Sequence, residues 1–283
     1  MNLSSYKLVA CDLDGTLLRE DHTVSPENLL AIAEMDRLGI QFVPTTGRAL
    51  AEMPCELLSS PHIRYYITSD GAAVFDKKTG EVVHSEYISE DMLRLIFSLT
   101  DKYTSYPVIH SGLCSYYNVE RHTEENIKSS RLDAYTLKIV EDKNKPLFPF
   151  KESLLTMGKA EMGCIYFGRD EDLNFCKERL TESGKLSVAQ TGKANFEVYS
   201  AKAGKGAALT ALAKILAIPT ESTVAIGDSK NDASLVGSAG LSLAMANASD
   251  ELKAIADEVI CHYNEHCVKY VLEKFIKDKE DQR

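Results

Sequence analysis

Short apolar runs alternate with stretches of helical spacing through the first third of the chain. Leu8-Val9-Ala10-Cys11 is small and apolar and predicts a buried strand. Ser25-Pro26-Glu27 then marks a helix start, with Ser25 as N-cap and Pro26 in the first helical position. Leu29, Leu30, Ile32, Ala33 and Leu38 recur at helical spacing, and Gly39 ends the helix. Ile40-Gln41-Phe42-Val43-Pro44 reads as a second strand, so the segment is a βαβ unit with parallel pairing and a right-handed crossover. A helix through Leu57, a third strand at Tyr65-Tyr66-Ile67-Thr68, and a hairpin of residues 73–76 and 81–84 around Lys77-Lys78-Thr79-Gly80 follow.

From about Ser85 to Gln190 the pattern changes. An amphipathic helix near 90–100, strands near 107–110 and 115–119, a polar stretch from Glu141 to Pro149, a strand at 162–167, a helix at about 171–182 and a strand at 186–190 predict a separate α+β module. Strand and helix then alternate again: a strand at 196–199, a helix at 204–216, a strand at Val224-Ala225-Ile226, and further elements at 241–245, 251–256, 259–261 and 268–276. The expected organisation is a parallel sheet from 1–84 and 191–283 with residues 85–190 inserted. The run beyond Phe275 reads as solvated charge.

Composition narrows the function classes. With 283 residues, 44% of them hydrophobic, the chain can bury a sizeable core. A formal net charge of -10 argues against sequence-independent nucleic-acid binding, which needs a basic stripe. Seven cysteines, an odd number without a Cys-x-x-Cys pair, predict reduced thiols in a cytoplasmic protein. No apolar run approaches the roughly 18 residues of a membrane span, so no membrane partner is expected.

Candidate chemistry collects where strands end. Asp12 and Asp14 follow the first strand, would share a face if it continued, and precede Gly15, where the backbone can swing away. Thr46-Gly47 ends the second strand, where a hydroxyl and backbone N–H groups suit phosphoryl oxygens. Lys205, flanked by Gly204 and Gly206 at a helix start, can approach an anion, and Gly227-Asp228-Ser229-Lys230-Asn231-Asp232 follows a later strand with two more acids.

Rival motifs fail. An EF-hand starting at Asp12 needs Glu at its twelfth position and finds Thr23. Gly204-Lys205-Gly206-Ala207-Ala208-Leu209 lacks the third glycine of a dinucleotide loop, and neither a phosphate-loop motif nor a Gly-x-Ser-x-Gly elbow occurs. His262 and His266 are spaced like zinc ligands but lack a second ligand pair.

In this order, Asp12-Leu13-Asp14-Gly15-Thr16, Thr46-Gly47-Arg48, Lys205-Gly206 and Gly227-Asp228-Ser229-Lys230-Asn231-Asp232 resemble the haloacid dehalogenase-like superfamily. The forms of these motifs, and the insert after the third strand, resemble its Cof-type branch with a type IIB cap. Met245-Ala246-Asn247-Ala248 and Ala256-Asp257 resemble its C-terminal core. The resemblance implies an α/β fold, a doubly wound parallel, Rossmann-like core with an inserted α+β cap that closes over the site and selects the substrate. It implies a magnesium-dependent phosphatase of small phosphate monoesters, such as sugar phosphates or phosphorylated cofactors, acting through an aspartyl-phosphate. Asp12 would be the nucleophile and Asp14 the general acid and base. Magnesium would be held by Asp12, the backbone carbonyl of Asp14, and Asp228. The Leu13 N–H, Thr46, Gly47, Lys205 and Asn231 would hold the phosphoryl group, with Asp232 supporting Lys205 or the metal shell.

Two other readings use the same residues. A phosphomutase would return the group to its substrate, and a noncatalytic phosphate sensor would keep the fold without turnover. The chain departs from the family pattern at Asp70-Gly71-Ala72, where Asn-Gly-Ala is usual, and at Glu265-His266-Cys267-Val268, where Asp-Gly-Val is frequent.

Overall fold

The computed structural model describes residues 6–277. Among them the chain divides into two compact units, one of residues 6–47, 53–84 and 204–277 and one of residues 48–52 and 85–203. The charged run beyond Phe275 lies, from Asp278 onward, outside the described residues.

In the first unit, β1 (Leu8–Asp12) has every residue buried, which matches its unbroken apolar run. The helix Pro26–Arg37 starts as its sequence predicts, with the Ser25 hydroxyl accepting from the Asn28 N–H. β2 (Gln41–Thr45) and β3 (Tyr65–Thr68) extend the parallel pairing, and β4 (Ala73–Asp76) returns antiparallel to β3 and leads to β5 (Glu81–Ser85). The expected single helix through Leu57 is instead a short turn at Leu50–Glu52 and a helix Cys55–Ser59. Pro54 stands before that helix as its N-cap, where the fixed φ and missing N–H of proline break a continuous helix.

The second unit contains β6 (Ser105–Ser111), β7 (Cys114–Asn118), β8 (Lys145–Leu147), β9 (Ala160–Phe167), β10 (Leu186–Ala189) and β11 (Asn195–Ser200) in the spatial order β10-β11-β9-β6-β7-β8. Here the expected boundary at 190/191 is displaced. β11 pairs antiparallel with both β9 and β10, and Phe196 and Val198, both fully buried, join Phe167, Ile165 and Leu186 in the core of this unit. The division therefore falls between Ala203 and Gly204.

The chain then adds the helix Lys205–Ile215, β12 (Thr223–Gly227), β13 (Leu241–Ala244) and β14 (Glu258–Val259) to the first unit. The eight-stranded sheet has the order β14-β13-β12-β1-β2-β3-β4-β5, and the pairs from β14 to β3 are parallel. Strands are added outward from β1 in one direction before the second unit and in the other after it. β1 and β12 thus meet at a switch point, where a crevice opens beyond the carboxyl ends of the strands. No described helix is long and apolar enough to cross a membrane.

Candidate active site

Asp12 is the last residue of β1 and is 5% exposed. Leu13–Leu17 then forms one wide turn, closed by the Leu18 N–H donating to the Leu13 carbonyl at 2.9 Å. Because the strand stops at Asp12, the two carboxylates do not share a face. Asp12 is buried, whereas the Asp14 side chain is 48% exposed, with Oδ1 3.9 Å from Nδ1 of His22. Gly15 has φ +81, and a Cβ there would lie 2.5 Å from Asp228 Oδ2, so the opening turn and the acidic loop after β12 are in direct contact. The Thr16 hydroxyl donates to Asp228 Oδ1 at 3.2 Å.

Lys205 opens its helix and is 2% exposed. Its Nζ donates to Asp12 Oδ1 at 2.7 Å and to Asp232 Oδ1 at 2.6 Å. Gly206 lets the helix approach residue 234, since a Cβ there would stand 2.0 Å from the Ser234 carbonyl oxygen. Asp232, fully buried, also accepts from the N–H groups of Asp228 and Ser229 at 3.1 Å each, so the loop is folded around its own acid.

The phosphate-holding candidates lie beside this cluster in different ways. Leu13 and Thr46 are buried. The Thr46 N–H donates to the Ile67 carbonyl at 3.0 Å, and the Thr46 carbonyl accepts from the Asp70 N–H at 3.1 Å. Asn231 Oδ1 accepts from the Ser229 hydroxyl, and its Nδ2 donates to Asp70 Oδ1 at 3.4 Å. A Cβ on Gly47 would lie 3.3 Å from that same Asp70 oxygen. Asp70, visible in sequence only as a departure from the family pattern, is thus part of the site. Asn247 is a further member, its Nδ2 donating to the Gly15 carbonyl at 2.8 Å while its Oδ1 accepts from the Tyr263 N–H at 3.2 Å. His22 had no sequence signal.

Electrostatics follow from burial. Burial disfavours charge on Lys205, but Asp12, Asp232 and Asp70 outweigh it and hold the ammonium charged well above its ordinary range. Burial first, then Asp232, push the Asp12 carboxyl well up, with Lys205 opposing them. Burial and Asp232 raise Asp228 to about 6. Oxygens of Asp12, Asp228 and Asp232 all lie within 4.8 Å of one another, with the Lys205 ammonium bonded to two of these acids. A hard divalent cation of the magnesium type, which prefers carboxylate and carbonyl oxygen, fits this donor set and its surplus negative charge.

Elsewhere the histidines of the C-terminal segment are structural. His262 caps the turn Tyr263–Glu265, and His266 Nδ1 lies 2.9 Å from the Ser25 hydroxyl. All seven cysteines are unbonded.

The family model for haloacid dehalogenase-like hydrolases matches residues 9–272. The chain belongs to this family. It is 32% identical to the phosphatase YwpJ of Bacillus subtilis over 95% of this chain and 100% of that protein. It is 29% identical to the 5-amino-6-(5-phospho-D-ribitylamino)uracil phosphatase YwtE of the same organism, over 95% and 98%. A solved haloacid dehalogenase-like hydrolase from B. subtilis superposes with a TM-score of 0.79 at 30% identity, covering 95% of this chain and 100% of that one. The haloacid dehalogenase-like assignment made from the four motifs, in its Cof-type form, therefore holds, and so does the α/β fold with its parallel sheet.

Proposed function

We propose that this haloacid dehalogenase-like chain is a magnesium-dependent phosphatase of small phosphate monoesters, working through an aspartyl-phosphate on Asp12, with the inserted unit as its cap. One observation carries the reading: Asp12 is held at the end of β1 by Lys205 at 2.7 Å and beside Asp228, while Asp14, two residues on, is exposed. A buried carboxylate with an adjacent cation suits attack on phosphorus, and an exposed carboxyl suits proton exchange with the leaving group and with water. Relatives named as phosphatases, one of them for a phosphoribityl uracil, support a small phosphate ester as substrate.

Asp12 would attack phosphorus while the ester P–O bond breaks and Asp14 gives its proton to the leaving oxygen. Asp14 would then take a proton from water, whose oxygen attacks the aspartyl-phosphate, releasing inorganic phosphate and restoring the Asp12 carboxylate. Magnesium, bound by Asp12, Asp228 and the Asp14 carbonyl, would offset the repulsion between carboxylate and phosphate dianion. That repulsion is about 1 kcal/mol per pair of unit charges at 4 Å in water and several-fold larger in a drier site. The Leu13 N–H, Thr46, Gly47, Lys205 and Asn231 would hold the transferred group, and Asp232 keeps Lys205 in place. The seven unbonded cysteines accord with a cytoplasmic location.

Hydrolysis of a chromogenic phosphate ester with magnesium, and with chelator instead, tests the reading. Expected are turnover only with magnesium, a phosphorylated Asp12 in the quenched wild-type enzyme, and neither in Asp12→Asn. Substantial turnover by Asp12→Asn overturns the nucleophile assignment. A panel of phosphorylated metabolites then ranks substrates by released inorganic phosphate.

A further inference from the structure

We propose that Asp70 sets how weakly the site holds a phosphoryl group, by placing a buried carboxyl among the very groups that would receive it. The proposal rests on the phosphatase reading above and deepens it. Asp70 follows β3 in a left-handed turn, φ 51 and ψ 35, and is 1% exposed. Its N–H donates to the Thr46 carbonyl at 3.1 Å, which ties the turn after β3 to the turn after β2. Next to it Gly71, at φ +87, comes so close to the peptide before Lys205 that a Cβ would lie 2.3 Å from the Gly204 carbonyl oxygen. The turns after β2 and β3 and the start of the Lys205 helix therefore fix the backbone that carries this carboxyl.

Its partners are informative. Oδ1 accepts from Asn231 Nδ2 at 3.4 Å and faces Gly47, and the carboxyl is one of three acids that keep Lys205 charged. Asp70 thus hydrogen-bonds Asn231, lies against Gly47 and is tied through its backbone to the Thr46 carbonyl, beside three of the residues assigned to the phosphoryl oxygens, and its charge acts on a fourth, Lys205. An oxyanion site is ordinarily built of donors alone. Here one acid occupies a donor of Asn231 and adds negative charge beside Gly47, so an arriving phosphate dianion meets both repulsion and competition.

The penalty is unequal along the reaction. A phosphate dianion, whether substrate or released product, carries its full charge into the cradle. In a loose transition state the transferring group is metaphosphate-like, with less charge to repel. Asp70 accordingly weakens ground-state and product binding more than transition-state binding, which raises KM and speeds phosphate release without a matching loss of rate.

Two neutral variants test this, Asp70→Asn and Asp70→Gly, both compatible with a left-handed turn. Steady-state kinetics on a chromogenic ester with magnesium, with inorganic phosphate as inhibitor, give the readout. In both variants the phosphate Ki and the KM fall together by about tenfold, and kcat falls because product leaves more slowly. A phosphate Ki that is unchanged or higher in both variants overturns the proposal, as does a KM that rises. If the wild-type protein hydrolyses no ester, the phosphatase reading fails by itself. Calorimetric titration of the magnesium-loaded wild type and both variants with inorganic phosphate still reads the role of Asp70, through tighter binding in the variants or its absence.

Discussion

Asp12 Oδ1 and Lys205 Nζ lie 2.7 Å apart across 193 positions of sequence, and the same ammonium reaches Asp232 at 2.6 Å. All three groups are buried, with Lys205 2% exposed and Asp232 fully enclosed. A buried ion pair of this kind adds little over an apolar filling, but breaking it from one side leaves unpaired charge.

Lys205→Met is therefore expected to cost about 3–5 kcal/mol of stability, because two buried carboxyls lose their shared counter-charge. Turnover should fall by about a thousandfold, since a positive donor to the phosphoryl group is lost with it. Urea unfolding and ester kinetics check the two effects separately. A variant that unfolds like the wild type would mean that the ammonium is not the partner on which Asp12 and Asp232 depend.

Asp228 offers a test by pH. Burial and Asp232 raise its carboxyl from the ordinary 3.8 to about 6. Between those values this group holds more proton folded than unfolded, so in the metal-free protein its contribution to stability falls as pH rises through this window. Asp12, pushed in the same direction, adds to the loss. In chelator, the melting temperature of Asp228→Asn should rise relative to that of the wild type from about pH 4 to about pH 6, leaving the variant a few degrees more stable at neutral pH. The same variant should lose turnover and most stabilisation by magnesium. A difference between chelated wild type and Asp228→Asn that stays constant across the window contradicts the assignment.

The chemistry was legible because its residue types sit at strand ends with few alternatives. Asp12 after four apolar residues and Gly227-Asp228 after Val224-Ala225-Ile226 announce a shared crevice once parallel pairing is inferred, and β1 does pair with both β2 and β12. The role of Asp70 was not legible, since a charge in a turn says nothing about the Asn231 amide 161 positions away. The helix Ala134–Lys143 has no signature in the sequence because Val140 is its one buried residue, so no apolar stripe marks it. The misplaced boundary has a similar cause. Phe196, Val198 and their polar neighbours alternate as a strand does, and alternation is the same in a parallel sheet and an antiparallel one.

That boundary yields the last prediction. Phe196 is fully buried, its ring centroid 5.3 Å from that of Phe167, and β11 lies between β9 and β10. If the strand belonged to the eight-stranded sheet, removing its side chain would loosen β1 and β12. Because it fills the second unit instead, Phe196→Ala should leave a cavity costing about 3–5 kcal/mol there. Native-state hydrogen exchange resolves the difference, since local stability is read segment by segment. Faster exchange is expected across 160–167 and 186–200, with residues 8–12 and 223–227 near wild-type protection. The reverse pattern would return residues 195–200 to the first unit.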